Sequence, residues 1–234
     1  MNDTLRHELT FLRDLGFTHL DIPEMTANVG DSNSAYQHAG ETPALPGETL
    51  LADLQAIATV CENCKLSKTR TQVVYGVGNP NADLMFIGEA PGRDEDLKGE
   101  PFVGRAGQLL TDIIKAMKLT RDDVYIANVV KCRPPENRNP EPEELDACRP
   151  YIRRQIEIIQ PKVIVTLGKF ALQSLTEKSY GITAVRGQWL EYNGVKVMPT
   201  YHPAYLLRTP SAKKDVWNDM KKVMAELGMA PLSS

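Results

Sequence analysis

The stretch DLMFIGEAPG, residues 83–92, decides the fold of this chain of 234 residues. Its run of four apolar residues has the length and composition of a buried strand. Gly88 and Gly92 bound the turn that follows, and helix-like sequence resumes over 105–118. A strand, a tight turn and a helix in this order place the turn at the carboxyl end of a strand, where open α/β sheets bind their ligands.

Strand-like and helix-like segments alternate along the rest of the chain. Apolar runs predict two more buried strands, at 124–130 and 163–168. Asn193-Gly194 predicts the turn of a hairpin whose strands are 188–192 and 195–200. Segments typical of helices are 50–60, 140–160, 169–177 and 213–227, whereas His202-Pro203 is expected to open a loop. This alternation predicts a three-layer α/β/α fold around a central, mostly parallel four-stranded sheet.

Composition divides the chain into two parts. Residues 1–48 are predicted to be an acidic N-terminal extension and flexible linker, because 21–48 combines several Pro and Gly residues with many small polar ones. Before that linker, the leucines within 4–16 have the spacing of a short amphipathic helix. Residues 49–234 are predicted to form one folded domain that contains all four cysteines, with Thr49 as the N-cap of its first helix.

Charge is distributed unevenly along the chain. The formal net charge is −3, yet residues 1–50 hold eight acidic residues against two arginines, so the remainder carries +3. A mildly basic body suits nucleic-acid binding, although solvated lysines scattered over a surface give the same total. No apolar run approaches the roughly 20 residues of a membrane span, and the N-terminus lacks a signal pattern. The sequence therefore predicts a cytoplasmic protein without a membrane partner.

Four cysteines are arranged as Cys61-x-x-Cys64, then Cys132 and Cys148. The close pair presents two thiolates on one turn, and the two later residues complete a four-thiolate site for zinc or an iron–sulfur cluster. Nothing in the sequence indicates an oxidising compartment, so disulfides are the less favoured use. Spacing alone leaves zinc and iron–sulfur level, with unligated buried cysteines as a third interpretation.

Four short motifs accompany the cysteines. They are GEAPG at 88–92, EPFVG at 100–104, NVVKCRPP at 128–135 and HPAYLL at 202–207. Together with the cysteines, these motifs resemble the family 4 uracil-DNA glycosylases. Any one of them is a weak signal, whereas four in order with matching cysteines are specific. The resemblance covers about residues 50–227. It implies a DNA repair enzyme that flips uracil out of DNA and hydrolyses its N-glycosidic bond.

The resemblance also gives roles to the residues of the pocket. Phe102 matches the aromatic residue on which the base stacks, although a phenylalanine is also commonly a core residue. Asn128 matches the base reader, since a side-chain amide pairs with N3–H and O4 of uracil and rejects cytosine. His202 matches the histidine that binds uracil O2 as negative charge develops on the leaving base. In isolation, a turn-capping asparagine and an ordinary loop histidine would be the simpler interpretations.

The first motif lacks two side chains that other uracil-DNA glycosylases carry. Ala90 stands where they have a catalytic aspartate, and Gly92 stands where they have a tyrosine that blocks the thymine methyl group. The resemblance therefore implies a strongly dissociative reaction, with Gly88, Ala90 and Gly92 lining the substrate site. Glu89 is the predicted catalytic carboxylate, which polarises water or else satisfies backbone amides. Glu95 matches a pocket residue beside uracil C5, whereas Asp96 is expected to be solvated.

The remaining expectations concern DNA and the cofactor. Leu206 matches the wedge that fills the gap left by the flipped nucleotide, with Leu207 as its alternative and core packing as the competing interpretation. Arg105, Lys131 and Arg208 are predicted to contact phosphates. Because the family carries a [4Fe-4S] cluster, the resemblance favours iron–sulfur over zinc at the four cysteines. The expected partner is uracil-containing DNA, single- or double-stranded, bound by a monomer.

Three competing functions remain to be weighed. Relatives that bind uracil-DNA and cross-link to it carry a histidine-containing loop after the first motif, whereas DLKGE at 96–100 has no histidine. A broader-specificity enzyme of the family 5 type would also act on hypoxanthine or other lesions. A catalytically silent DNA-interaction module would not need intact Phe102, Asn128 and His202. The first two stay open as alternatives to a uracil-DNA glycosylase.

Overall fold

The computed structural model describes residues 47–230 together with Arg13. From Gly47 onward the described residues belong to one compact unit. The predicted helix over 4–16, apart from Arg13, and the predicted linker up to residue 46 lie outside the described residues.

The central sheet has six strands within residues 47–230. In chain order they are β1 (Val77–Gly78), β2 (Leu84–Gly88), β3 (Tyr125–Asn128), β4 (Val163–Leu167), β5 (Leu190–Tyr192) and β6 (Val195–Thr200). Their order across the sheet is β1-β3-β2-β4-β6-β5. The four central strands are parallel, and β1 and β5 pair antiparallel at the two edges. The predicted α/β fold class is confirmed, and two short edge strands extend its parallel core of four.

Residues 47–230 also form eight α-helices, which lie before, between and after these strands. They are α1 (Gly47–Thr59), α2 (Arg93–Lys98), α3 (Arg105–Ala116), α4 (Pro142–Ile159), α5 (Lys169–Thr176), α6 (Ile182–Val185), α7 (Pro203–Arg208) and α8 (Lys213–Glu226). None of these helices is long and apolar enough to cross a membrane. Two local predictions were wrong. Thr49 lies inside α1 and not at its N-cap, and His202 is the N-cap of helix α7 where a loop was expected.

Helices cover both faces of the sheet. On one face, α3, α7 and α8 contribute to an apolar core with β2, β3, β4 and β6, in which Leu110 and Ile114 of α3 are one helical turn apart. On the other face, α4 packs against α1 and α5. Gln155 of α4 reaches the sheet there, donating a hydrogen bond of 3.1 Å to the hydroxyl of Tyr125. The sheet is therefore the middle of three layers.

The connections place a crevice at the carboxyl end of β2. The chain leaves β2 through α3 to reach β3 on one side, then crosses back through α4 to reach β4 on the other. Because these two connections diverge on opposite faces, the end of β2 is a topological switch point, where open α/β sheets bind ligands. The functional motifs of the sequence follow β2, β3 and β6, all of which end at this edge.

Candidate active site

At the end of β2, an amide and an aromatic ring pack against a glycine. β2 and β3 are in register at their last residues, which sets Gly88 beside Asn128. A Cβ on Gly88 would lie 2.3 Å from Oδ1 of Asn128 and 2.5 Å from Cζ of Phe102. Only glycine therefore fits at this position. Oδ1 of Asn128 is buried without a hydrogen-bond partner in the described chain, which leaves an acceptor for a ligand.

Phe102 is held in a strained backbone conformation beside Gly88. Its φ of 55° is unusual for a bulky residue, and such outliers cluster at functional sites. The Arg121 guanidinium donates hydrogen bonds to the carbonyl oxygens of Pro101 at 2.8 Å and Phe102 at 3.2 Å. A Cβ on Gly107 of α3 would lie 1.9 Å from the Phe102 carbonyl oxygen. Arg121 and Gly107 thus fix the loop that presents the ring.

His202 also lies beside the Phe102 ring. The two ring centroids are 5.7 Å apart, and their planes are tilted by 34°. Nδ1 of His202 accepts a hydrogen bond of 3.1 Å from the backbone N–H of Ala204, so the proton of the neutral imidazole belongs on Nε2. Burial lowers the pKa of His202 to about 4, helped by the positive charge of Arg208 and opposed by Glu95. His202 is therefore a neutral donor at physiological pH.

This lowered pKa predicts a pH-independent imidazole. The His202 ring resonances of histidine-labelled full-length protein are expected to stay constant from pH 8 to about 5.5, because the ring binds a proton only near pH 4. As pH falls from about 6.5 towards 4, His202 lowers the free energy of unfolding, because its side chain binds a proton in the unfolded chain before it does so in the folded protein. NMR titration measures this, with His202→Asn providing the assignment. A midpoint near 6.5 for His202 would contradict it.

Glu95 joins the loop after β2 to the loop that carries Phe102. One carboxylate oxygen accepts the N–H of Gly92 at 3.1 Å, and the other accepts those of Val103 at 3.0 Å and Gly104 at 2.9 Å. Both oxygens are thus engaged with backbone. In the structure, Glu95 is a clamp between two loops, a role that the sequence did not suggest.

Comparisons with known proteins agree with this geometry. Residues 75–221 match the family model described as the uracil DNA glycosylase superfamily. A type-4 uracil-DNA glycosylase of Archaeoglobus fulgidus is 50% identical over 171 residues, covering 70% of this chain and 86% of that protein. The chain belongs to the type-4 uracil-DNA glycosylases.

Two further relatives show where this type-4 chain stands within the superfamily. A type-4 uracil-DNA glycosylase of Sulfurisphaera tokodaii is 50% identical over 180 residues, covering 73% of this chain and 81% of that protein. A type-5 uracil-DNA glycosylase of Pyrobaculum aerophilum is 33% identical over 146 residues, covering 55% of this chain and 64% of that protein. The similarity to type 4 is therefore both higher and longer than the similarity to this type-5 enzyme.

Glu89 is a carboxylate directly after Gly88 at the end of β2. It is partly buried, and burial is what shifts its pKa. Burial raises the pKa of Glu89 to about 7, so near neutral pH it can accept a proton.

A Cβ on Gly92 would lie 2.8 Å from a carboxylate oxygen of Glu95, so a larger side chain there would collide with the clamp.

Three of the predicted surface residues lie elsewhere. Lys131 and Leu206 are each 1% exposed, and Leu206 belongs to the apolar core. Neither side chain is free to contact DNA. Asp96 is also buried, because its carboxylate accepts the N–H of Thr71 at 2.9 Å, where solvation was expected. Leu207, the alternative wedge, is 39% exposed. Leu206 and Leu207 are consecutive on α7 and therefore point about 100° apart, which is why one is buried and the other exposed.

The other predicted DNA contacts are at the surface. Arg105 at the start of α3 and Arg208 at the end of α7 are both exposed. The two helices contact each other, which brings their basic ends to the side of the sheet where Phe102 and His202 lie. Tyr205 and Leu207 are exposed on α7 between His202 and Arg208. This surface combines positive charge with exposed apolar side chains.

The four cysteines of this type-4 chain line one small cavity. Cys61 and Cys64 come from the turn after α1, Cys132 follows β3, and Cys148 lies on α4. No three His, Cys, Asp or Glu side chains among residues 47–230 close around a single metal ion. Burial raises the pKa of Cys148 to about 12, so its free thiol stays protonated unless a metal supplies compensating charge.

The donors around these sulfur atoms suit thiolates. The Arg70 guanidinium lies 3.4 Å from Sγ of Cys132, and the backbone N–H of Lys131 donates to Sγ of Cys148 at 3.3 Å. Four cysteines lining one cavity, two of them with N–H donors, form a ligand set that could hold zinc or an iron–sulfur cluster.

Proposed function

We propose that this chain is a monofunctional uracil-DNA glycosylase, which releases free uracil and leaves an abasic site. The observation that carries the proposal is the unpaired, buried Oδ1 of Asn128, which packs on Gly88 beside Phe102. A buried acceptor without a partner is costly unless a ligand supplies the donor. The N3–H of a flipped uracil is such a donor, and the relatives' names point to the same substrate.

Selectivity follows from the polarity of the Asn128 amide. Oδ1 accepts uracil N3–H while Nδ2 donates to O4, with the ring stacked on Phe102. Cytosine presents an acceptor at N3 and a donor at C4, so both contacts become repulsive. Sites that read polar groups in this way discriminate by about 10⁴-fold or more.

The bond-breaking step depends on stabilising negative charge. As the C1′–N1 bond breaks, its electron pair moves onto uracil, and Nε2–H of His202 donates to O2 of the departing anion. The sugar left behind is an oxocarbenium ion, to which water adds at C1′ while Glu89 accepts the proton of that water. Ala90 has no group for this task, so the pathway is dissociative. Neutral His202 donates without giving up its proton.

Contacts with DNA are assigned to the surface around α7. Arg105 and Arg208 bind phosphates of single- or double-stranded DNA, which position the strand without reading its sequence. Leu207, exposed one residue before Arg208, enters the base stack in place of the flipped nucleotide. The protein acts as a monomer, because one chain supplies every group of the proposed pocket.

Leu207 and Leu206 form a matched pair for testing this wedge. Leu207→Ala is expected to lower excision of uracil from duplex DNA about tenfold and to spare single-stranded substrate, because only the duplex needs its gap filled. Its melting temperature should be close to that of the wild type, whereas Leu206→Ala should cost about 2–5 kcal/mol of stability. Equal losses on both substrates for Leu207→Ala would remove it from the role.

The four cysteines are proposed to hold a [4Fe-4S] cluster, with zinc as the alternative. When bound, the cluster supplies cross-links between the end of α1, the loop after β3 and α4. Asn128 is the last residue of β3, directly before that loop, so this stabilisation extends to the pocket. No step of the reaction is assigned to the cluster itself.

Cys132→Ser is expected to abolish the brown colour and most of the bound iron, and to lower the yield of soluble protein. The reason is that one of four ligands is lost from a site whose sulfur atoms need metal charge. Ala147→Ser, which lines the same cavity without supplying a sulfur, is the control and should keep its iron. Iron analysis and visible absorbance give the readout. Zinc in place of iron in the wild type would reverse the assignment.

The function is tested with labelled oligonucleotides that carry one uracil, cytosine, thymine or hypoxanthine at the same position. After incubation and alkaline cleavage of abasic sites, we expect strand breaks only with uracil. Breaks with hypoxanthine would indicate type-5 behaviour, and an SDS-stable adduct would indicate a cross-linking relative. Absence of alkali-labile sites with iron-loaded protein would refute the proposal.

A further inference from the structure

Lys131 touches both the cysteine site and the base reader. Its backbone N–H donates to Sγ of Cys148 at 3.3 Å. Its ammonium donates to the carbonyl oxygen of Asn128 at 2.8 Å and to Oε1 of Gln155 at 2.5 Å. Its own carbonyl accepts the N–H of Val74 at 2.8 Å. Among the described residues, Lys131 alone makes hydrogen bonds to both Asn128 and a cysteine.

A buried lysine at this position is expensive and therefore requires a reason. Lys131 is 1% exposed, and no carboxylate in the described residues forms an ion pair with it. Methionine would fill a similar volume without the cost of burying an ammonium group. Its position offers such a reason, since its backbone N–H donates to Sγ of Cys148 and its ammonium donates to the Asn128 carbonyl.

The backbone on both sides of the Asn128 carbonyl is anchored, while its side chain is not. The N–H of Val129 donates to the Gly88 carbonyl at 3.0 Å, and the Asn128 carbonyl accepts from the ammonium of Lys131 at 2.8 Å. The amide oxygen Oδ1 has no partner in residues 47–230. The orientation of the reading amide thus depends on packing and on this backbone anchor.

We propose that Lys131 is a positioning residue that couples occupancy of the four-cysteine site to the orientation of the Asn128 amide. The effect of this coupling on catalysis rests on the proposed function, whereas the contacts of Lys131 that make the coupling do not depend on it. With the site occupied, Cys148 holds the backbone of Lys131, whose ammonium then fixes the Asn128 peptide. With the site empty, that support loosens, and uracil is read less strictly.

The test compares two variants with matched controls. Lys131→Met removes the anchor. Gln155→Leu keeps Lys131 and removes the second acceptor of its ammonium, together with the bonds from Gln155 to the Tyr75 carbonyl and the Tyr125 hydroxyl. Lys162→Met, an exposed lysine paired with Asp83, and Gln173→Leu are the controls. For each full-length protein we would measure bound iron, affinity for DNA with an abasic-site analogue, single-turnover excision of uracil and cytosine, and hydrogen exchange of residues 125–131 with and without iron.

Lys131→Met is expected to keep its iron and its DNA affinity. It should lose about 10²-fold in uracil excision, since a misplaced reactive group costs that much, and its uracil-to-cytosine preference should shrink. Removing iron should speed hydrogen exchange of 125–131 in the wild type but add nothing further in Lys131→Met. Gln155→Leu should change in the same direction by a smaller factor and decides the question if Lys131→Met does not fold.

Two results would overturn the inference. One is wild-type excision, selectivity and exchange in both variants. The other is loss of iron together with rate in Lys131→Met, which would make Lys131 a support of the cysteine site alone. If the wild type excises no uracil, the proposed function fails while the exchange experiment still tests the coupling.

Discussion

Asn128→Asp is expected to lower the single-turnover rate of uracil excision by about 10³-fold or more. The carboxylate cannot donate a hydrogen bond to uracil O4, and its negative charge repels that oxygen. The amide oxygen of Asn128 has no partner among the described residues, so nothing there offsets the new charge. The variant should also lose its preference for uracil over cytosine, because one group that distinguished the two bases is gone. Single-turnover assays on matched uracil and cytosine oligonucleotides measure both effects.

The control for this substitution is Asn139→Asp, an exposed asparagine downstream of the same motif. It introduces the same charge outside the pocket and should keep the wild-type rate and selectivity within about twofold. Wild-type excision by Asn128→Asp, with folding verified by thermal unfolding, would remove Asn128 from the base-reading role.

The second large effect is expected for His202→Asn. Asparagine at this position can still cap α7 by accepting the N–H of Ala204, so the local fold is preserved. It is too short to replace Nε2–H at the leaving base, and loss of one such donor costs about 10²–10³-fold in the chemical step. Binding of DNA that carries an abasic-site analogue should change little, because the donor acts on the departing base.

Excision rate and DNA affinity therefore separate for His202→Asn if the role is correct. His38→Asn serves as the matched control, since it lies outside the part of the chain that resembles the type-4 enzymes. Equal losses of rate and affinity would contradict a donor to the transition state. They would indicate a histidine that shapes the DNA surface.

The sheet could be predicted because its strands carry strong local signals. β2 begins with four consecutive apolar residues and β4 with three, and all residues of both strands are buried, as in parallel sheets covered on both faces. β1 could not be predicted, because a strand of two residues, Val77 and Gly78, is too short to show an alternation of apolar and polar side chains. It forms only because the edge of β3 is available for pairing.

The pocket residues with chemical side chains could be identified from motifs, whereas their supports could not. Arg121, which holds the Phe102 loop, comes from a turn before β3 with no distinctive pattern. Glu95 was noticed as a carboxylate, yet its three backbone partners depend on how two loops meet. Contacts between distant segments leave no trace in local spacing.

Burial explains the two errors at the DNA surface. Lys131 was assigned to DNA because lysines in a basic loop are usually solvated, but here its neighbours offer internal acceptors. Leu206 and Leu207 are adjacent in sequence, so the motif alone could not decide which one faces the core. The register of α7 against α3 and α8 makes that decision.

The central claim is that the ends of three strands meet around one extruded uracil. It is tested most directly by a crystal structure of the full chain with DNA that contains 2′-fluoro-2′-deoxyuridine, whose glycosidic bond resists cleavage. We predict the uracil ring against Phe102, with N3–H and O4 on the Asn128 amide and O2 facing Nε2 of His202. A uracil left in the helix, or bound away from these three side chains, would contradict the account.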